Sequence, residues 1–292
     1  MNRASLERSI DRPTSWWLAA LRRRRAHLSE TLDLSRAVVF EDEAERDAAV
    51  RFFNAAFRAE ESGLRQAHDL AHDFERDDPE LAECLRLYGD EEGWHRELLT
   101  SFLAHIGGEV RPMGPTTRTF YKLYARAERM ETIVLTNLMF ETIGATTYRL
   151  ALRRARPDPT VRQMLTILTR DESFHVPLNA HFLRRVLARE GEAARRRSQR
   201  LYRGLTWALV ASAAASRRRA LRFDRIPFSV LARAYAVELS RLFVRAPDLG
   251  LQPSRALVAF LGREARVAPG IDPLGIDAAT AAIDRADVTA SP

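Results

Sequence analysis

Apolar residues recur at helical spacing through most of the chain. Phe53, Phe57, Leu64, Ala67 and Ala71 are separated by steps of three or four or by sums of such steps, and so are Leu81, Leu85, Tyr88, Leu99 and Leu103. Val134, Leu138, Ala145, Tyr148 and Leu152 repeat the pattern, as do Val161, Leu165, Leu168, Phe182 and Val186. Such spacing aligns side chains along one face of a helix. It predicts four long helices: about Glu43 to Phe74, Pro79 to about Ile106, about Thr117 to Arg154, and Pro159 to about Arg189. Asp78-Pro79 and Asp158-Pro159 each set a capping carboxylate before a proline at the first helical position, where the missing N–H costs nothing. Gly107-Gly108 ends the second helix. The link between the second and third is the longest and carries Pro112 and Pro115, as a crossover between two helical hairpins would.

Outside these four, Trp16 to His27 forms a short amphipathic segment with Trp17, Leu18 and Leu21 beside Arg22 to Arg25. It is expected to dock on the bundle, with a membrane surface as the alternative. Three further helices are expected at Ala194 to Phe223, Ser229 to Ala246 and Pro253 to Ala265. The chain thus divides into an N-terminal extension (1–42), a bundle (43–190), a C-terminal helical extension (191–267) and a frayed tail (268–292). The best apolar run, Leu205 to Ala215, is about half the roughly 20 residues of a bilayer span and is expected to be a buried helix.

Composition agrees with an all-α protein. Gly and Pro number 13 each, few for a chain of 292 residues that had to turn every ten, and 46% hydrophobic content supplies a core. Cys84 is the single cysteine, so an internal disulfide framework and a thiolate cage are both excluded. No secretory signal is expected from the charged N-terminus, and a cytoplasmic location follows. The net charge of +7 is carried almost wholly by arginine, since Lys122 is the only lysine. It reads as a solvated surface, or as a face for an acidic partner such as nucleic acid, a carrier protein or anionic lipid.

Each apolar stripe is interrupted by ionisable residues. Glu92 and His95 take core positions on the second helix, as Glu172 and His175 do on the fourth. Glu60 stands on the stripe of the first helix and Glu141 on that of the third. Glu61 is the alternative to Glu60 but lies about 100° round the helix. His68 and His72 lie off the core face and are expected at the surface. Four buried glutamates would cost several kcal/mol each without partners, and two neutral histidines cannot neutralise them. A pair of divalent cations can. Carboxylate and imidazole donors without thiolate suit iron or manganese, or one of each, in octahedral geometry. An internal repeat supports the set. Glu60 precedes Glu92 by 32 residues and Glu141 precedes Glu172 by 31, while Asp78 and Asp158 each precede the paired glutamate by 14.

With one Glu on each of two helices and Glu-x-x-His on each of the other two, residues 43 to 188 resemble the ferritin-like di-iron carboxylate superfamily. The runs Asp90-Glu91-Glu92-Gly93-Trp94-His95 and Asp171-Glu172-Ser173-Phe174-His175 look most like the helices of acyl-carrier-protein desaturases and related di-iron oxygenases, and Phe140-Glu141 with Thr142 is similar too. The resemblance implies a four-helix bundle with a crossover connection, flanked here by helical extensions. It implies Glu92 and Glu172 bridging two irons, Glu60 and Glu141 terminal, and one histidine per iron. Glu91 and Asp171 are placed to hydrogen-bond the ligand histidine of the opposite hairpin, or are simple solvated charges. Two features depart from the family pattern. Pro177 predicts a bend just past His175. Gly144 and Ala145, one turn after Glu141, read either as close helix packing or as a substrate or oxygen pocket.

The activity implied is O2-dependent oxidation of an organic substrate by hydroxylation, N-oxygenation or desaturation. The substrate would be a small molecule or carrier-bound, and the electrons would come from a ferredoxin-like protein or a reductase. A homodimer is compatible with such a protein. The alternatives are ferroxidase or iron-handling chemistry, and a di-iron hydroxylase acting on tRNA, which the arginine surplus would serve.

Overall fold

The computed structural model describes residues 12–25, 28, 30–113, 118, 121, 124, 127–154 and 157–260. Among these, the regular secondary structure is entirely helical. Helix α1 spans Thr14–Arg24, α2 Glu43–Phe74, α3 Pro79–His105, α4 Met130–Arg154, α5 Pro159–Asp224, α6 Phe228–Arg245 and α7 Arg255–Phe260, with a 3₁₀ turn at Pro247–Leu249. None of the described helices is long and apolar enough to cross a membrane. The expected fraying from residue 268, like Pro115 and the end of the first amphipathic segment at His27, lies outside the described residues.

Local chemistry sets the helix ends. The Asp42 carboxylate caps α2 by accepting from the Glu45 N–H (2.7 Å), while Glu45 reaches back to the Glu41 N–H (2.6 Å). Asp78 accepts from Leu81 N–H (3.2 Å) and Asp158 from Thr160 N–H (2.9 Å), each directly before its proline. At the end of α3, Gly107 adopts φ 71° and the Gly108 N–H returns to the Leu103 carbonyl at 2.9 Å.

The short connection 75–78 folds α2 and α3 into a hairpin, and α4 pairs with α5 in the same way. These two pairs make the most extensive contacts, and α2 faces both α4 and α5 across the middle. Helix α1 packs on α3, and α6 on α4 and α5. Two apolar clusters form the core. One joins Trp17, Leu21, Leu70, Leu85, Leu138 and Phe182; the other joins Phe53, Phe102, Leu165, Leu168 and Phe223. The interrupted positions of the four stripes lie between them.

Two sequence expectations change. The third helix is interrupted: residues 118, 121 and 124 are helical, 127–129 leave the helix in a turn, and the helix resumes at Met130. The turn brings the Tyr124 hydroxyl to Asn137 Oδ1 (2.6 Å) and the Ile133 carbonyl (3.1 Å), contacts that helical periodicity cannot reveal. Pro177 lies within helical backbone of α5, and the kink at residue 191 falls between the expected fourth helix and the one expected from Ala194. The non-helical residue inside α5 is Gly191, at φ 77° and ψ −167°, a conformation nearly reserved for glycine. The Leu205–Ala215 run is not fully buried. Thr206, Val210 and Ala213 face inward while Trp207 is 38% exposed, because this second arm of α5 meets partners on one side only.

Candidate metal centre

Glu60, Glu92, His95, Glu141, Glu172 and His175 come together from α2, α3, α4 and α5, and none is more than 6% exposed. Glu61 turns away to pair with Arg58 at 2.7 Å. His68 and His72 are exposed. Both inward histidines point the same way. His95 Nδ1 lies 3.2 Å from Glu60 Oε2, and His175 Nδ1 lies 3.0 Å from Glu92 Oε1, 3.6 Å from Glu141 Oε2 and 3.7 Å from Glu172 Oε2. Their Nε2 atoms point outward to carboxylates of the opposite hairpin: His95 to Asp171 at 3.1 Å and His175 to Glu91 at 2.9 Å.

Three groups of donor atoms each lie within 4.8 Å of one another: Glu60, His95 and Glu172; Glu141, Glu172 and His175; Glu92, His95 and His175. Each can hold a metal ion. Glu172 is common to the first two groups, and Glu92 lies within reach of both histidines.

Hydrogen bonding leaves room for a metal ion. Glu92 Oε1, Glu141 Oε2 and His175 Nδ1 are buried and make no hydrogen bond, although the first and last are close in space. Buried acceptors without donors are rare and costly. Converging lone pairs of this kind fit a cation. Gly63 completes the cradle, since a Cβ there would lie 2.7 Å from Glu92 Oε2. Glycine inside a helix costs about 1 kcal/mol against alanine, so its place one turn after Glu60 was a signal that sequence inspection passed over.

Crowding of these buried groups shifts their proton affinities in opposite directions. Burial and then the neighbouring carboxylates push Glu92 and Glu172 well above the usual carboxylate range. Burial raises Glu141 too, yet the nearby Glu172 and His175 bring it down to about 2. Burial disfavours the charged form of His95, but Asp171 and Glu60 outweigh it and raise the imidazole to about 10. His175 is raised in the same way by Glu141 and Glu172. Bound cations would displace these protons.

Several functional groups were not foreseen as such. Tyr88, read only as part of an apolar stripe, donates its phenolic hydrogen to Glu141 Oε1 at 2.5 Å, and its ring stands edge-on to His175 at 4.9 Å. Burial and the Glu141 charge keep the phenol protonated. Its signal was a hydroxyl one turn before Glu92 on the same stripe. Arg170 pairs with Asp171 at 2.8 Å, and Arg24 of α1 contacts both Glu91 and Asp171. Ala145 is buried in the helix packing. Gly144 is half-buried, with Tyr148 3.4 Å and Glu172 3.9 Å from where its Cβ would stand.

The class this defines is an all-helical protein whose centre is a buried carboxylate–histidine cluster able to hold metal. Comparison of the chain with family models, with curated proteins and with solved structures finds no match.

Proposed function

We propose that the chain is a ferritin-like non-haem di-iron oxidoreductase, its two hairpins joined by a crossover, that uses O2 to oxidise an organic substrate. The observation that carries this is the set of three interlocked donor groups with unbonded, buried donor atoms on Glu92, Glu141 and His175. Four carboxylates balance two divalent cations in charge. No thiolate joins them, because Cys84 is buried against the Thr14 carbonyl of α1. Oxygen and imidazole donors favour iron or manganese.

When bound, a reduced iron pair supplies two electrons to O2, and an external donor such as a ferredoxin-like protein or a reductase restores them. The chain's own residues do the rest. Glu92 and Glu172 would be shared by the two cations and Glu60 and Glu141 would hold one each, while each histidine presents Nδ1 inward. Tyr88 keeps a proton at Glu141 Oε1, which leaves Oε2 for the metal. The large side chains that pack above and below the cluster keep bulk water from it. Gly144 and Ala145 mark the side from which O2 and a small or carrier-bound substrate reach the centre.

The test is metal content and absorption of the protein purified without chelator, beside a Glu92→Ala/Glu172→Ala double variant. The expected outcome is two irons per chain with ferric absorption, lost in the variant, and oxygen uptake that requires an added electron donor. A folded protein that takes up no metal would end the proposal. Oxygen uptake without a donor, with accumulation of ferric mineral, would replace it with iron handling.

A further inference from the structure

The two inward histidines are oriented from outside the four-helix core. His95 Nε2 faces Asp171 and His175 Nε2 faces Glu91, and these two carboxylates are only 2–4% exposed at their side chains. Arg24, which belongs to the separate N-terminal helix α1, lies between them. Its Nη2 is 3.0 Å from Glu91 Oε2 and 2.8 Å from Asp171 Oδ1, and its Nε is 3.1 Å from Glu91 Oε1. Its guanidinium carbon stands 4.2 Å over the Phe174 ring, the residue next to His175. The result is a continuous belt: His95, Asp171, Arg24, Glu91, His175.

We propose that Arg24 is a positioning residue of the metal centre, locking both histidines through Glu91 and Asp171, so that docking of α1 is a condition of tight metal binding. This rests on the di-metal proposal above and extends it to a residue outside the bundle. An imidazole ligand presents a lone pair at Nδ1 only while Nε2 keeps its hydrogen, and the acceptor opposite Nε2 holds that tautomer and the ring plane. Here the two acceptors are buried carboxylates that need countercharge. Arg170 serves Asp171 and, on its other side, Glu30. Arg24 serves both acids at once, which its planar fork allows and a lysine ammonium does not. Charge closes around the whole assembly: four glutamates against two divalent cations, and Glu91 with Asp171 against Arg24 with Arg170. Lacking Arg24, the two carboxylates lose the fork that fixes them and are free to turn away, which releases the histidine rings.

Arg22 separates this role from mere docking. It lies two residues earlier on α1 and forks onto Glu83 of α3 at 2.7 Å, on the surface and away from the centre. Both arginines tie α1 to α3, but only Arg24 touches the acids behind the histidines.

The experiment compares full-length wild type with Arg24→Gln, Arg24→Lys and Arg22→Gln, each titrated anaerobically with cobalt(II) and with iron(II). Dissociation constant, stoichiometry and the visible spectrum of the cobalt form are read, beside circular dichroism and urea unfolding of the metal-free proteins. Arg24→Gln is expected to keep its helix content, bind metal about 10- to 100-fold more weakly and show an altered cobalt spectrum. Arg24→Lys should recover part of the loss, and Arg22→Gln should bind as wild type does. Wild-type affinity and spectrum in Arg24→Gln, even with lower stability, would reduce Arg24 to a structural contact. An equal loss in Arg22→Gln would assign the effect to docking of α1 in general and overturn the positioning role of Arg24. Should Arg24→Gln fail to fold, Arg24→Lys decides, with unchanged affinity and spectrum the overturning result. Failure of wild type itself to bind either metal would refute the di-metal proposal, and this one with it.

Discussion

At the residue scale, the centre is a contest between burial and charge. The glutamates could each have been a surface residue at no cost, yet all four are held inside, and Glu92 and Glu141 each keep an unbonded oxygen. The chain tolerates this where a cation repays the desolvation. Gly63 shows the same contest from the other side. Replacing it with alanine gains helix propensity of about 1 kcal/mol but places a Cβ 2.7 Å from Glu92 Oε2, a flexible end that can swing aside. Gly63→Ala is therefore expected to leave the metal-free protein as stable as wild type or slightly more so, while weakening metal binding about tenfold or more as the bridging carboxylate is displaced. Urea unfolding with a parallel metal titration checks both signs. Unchanged affinity would mean that Glu92 is not held over Gly63 when it binds metal.

At the element scale, α1 links the centre to the surface. It seats Trp17, Leu18 and Leu21 in the same apolar cluster as Phe174 and Phe182, and its first residue, Thr14, meets His181 Nε2 of α5 at 3.1 Å. Burial, then the charges of Arg184 and Arg185, depress His181 to about 4 from an ordinary 6.5, with Asp78 opposing weakly. A lowered histidine pKa means that the unfolded chain binds the extra proton. Its stabilising contribution is thus complete above pH 6.5 and is lost as pH falls from 6.5 to about 4. The difference is on the order of 3 kcal/mol across that window. His181→Gln retains an amide for Thr14 and does not titrate. Its unfolding free energy should fall less than that of wild type between pH 6.5 and 4.5, measured on metal-free protein by urea unfolding. Parallel pH profiles would remove His181 from the acid sensitivity of α1 docking.

For the whole molecule, a metal held in the cluster would be coupled to stability. A cation that binds only the folded chain adds RT ln(1 + [L]/Kd), about 4 kcal/mol when free metal exceeds Kd a thousandfold. Chelation should lower the thermal midpoint by several degrees, and iron(II) or manganese(II) should restore it, in wild type but not in Glu92→Ala/Glu172→Ala. Differential scanning calorimetry with and without chelator reads this directly. A midpoint insensitive to metal in wild type would contradict a folded-state metal site. The geometry also explains why the centre lies between two apolar clusters. Packing on both sides fixes the helix registers, so four ligand helices meet within a few ångströms without relying on the ligands to hold them together.

Much of this was legible in the one-dimensional pattern. Periodicity located the helices, since α2 and α3 begin and end within a residue of expectation, and interruption of the apolar stripes singled out Glu60, Glu92, His95, Glu141, Glu172 and His175. Those signals are local, because residues three or four apart share a helix face wherever the helix is placed. What the tertiary structure alone decided lies at long sequence separation. Tyr88 meets Glu141 across 53 residues, Arg24 meets Glu91 and Asp171 across 67 and 147, and Tyr124 folds back on the start of α4. No period links such residues. Their partnership depends on how the helices pack, and packing follows from the whole surface of each helix rather than from any one stripe.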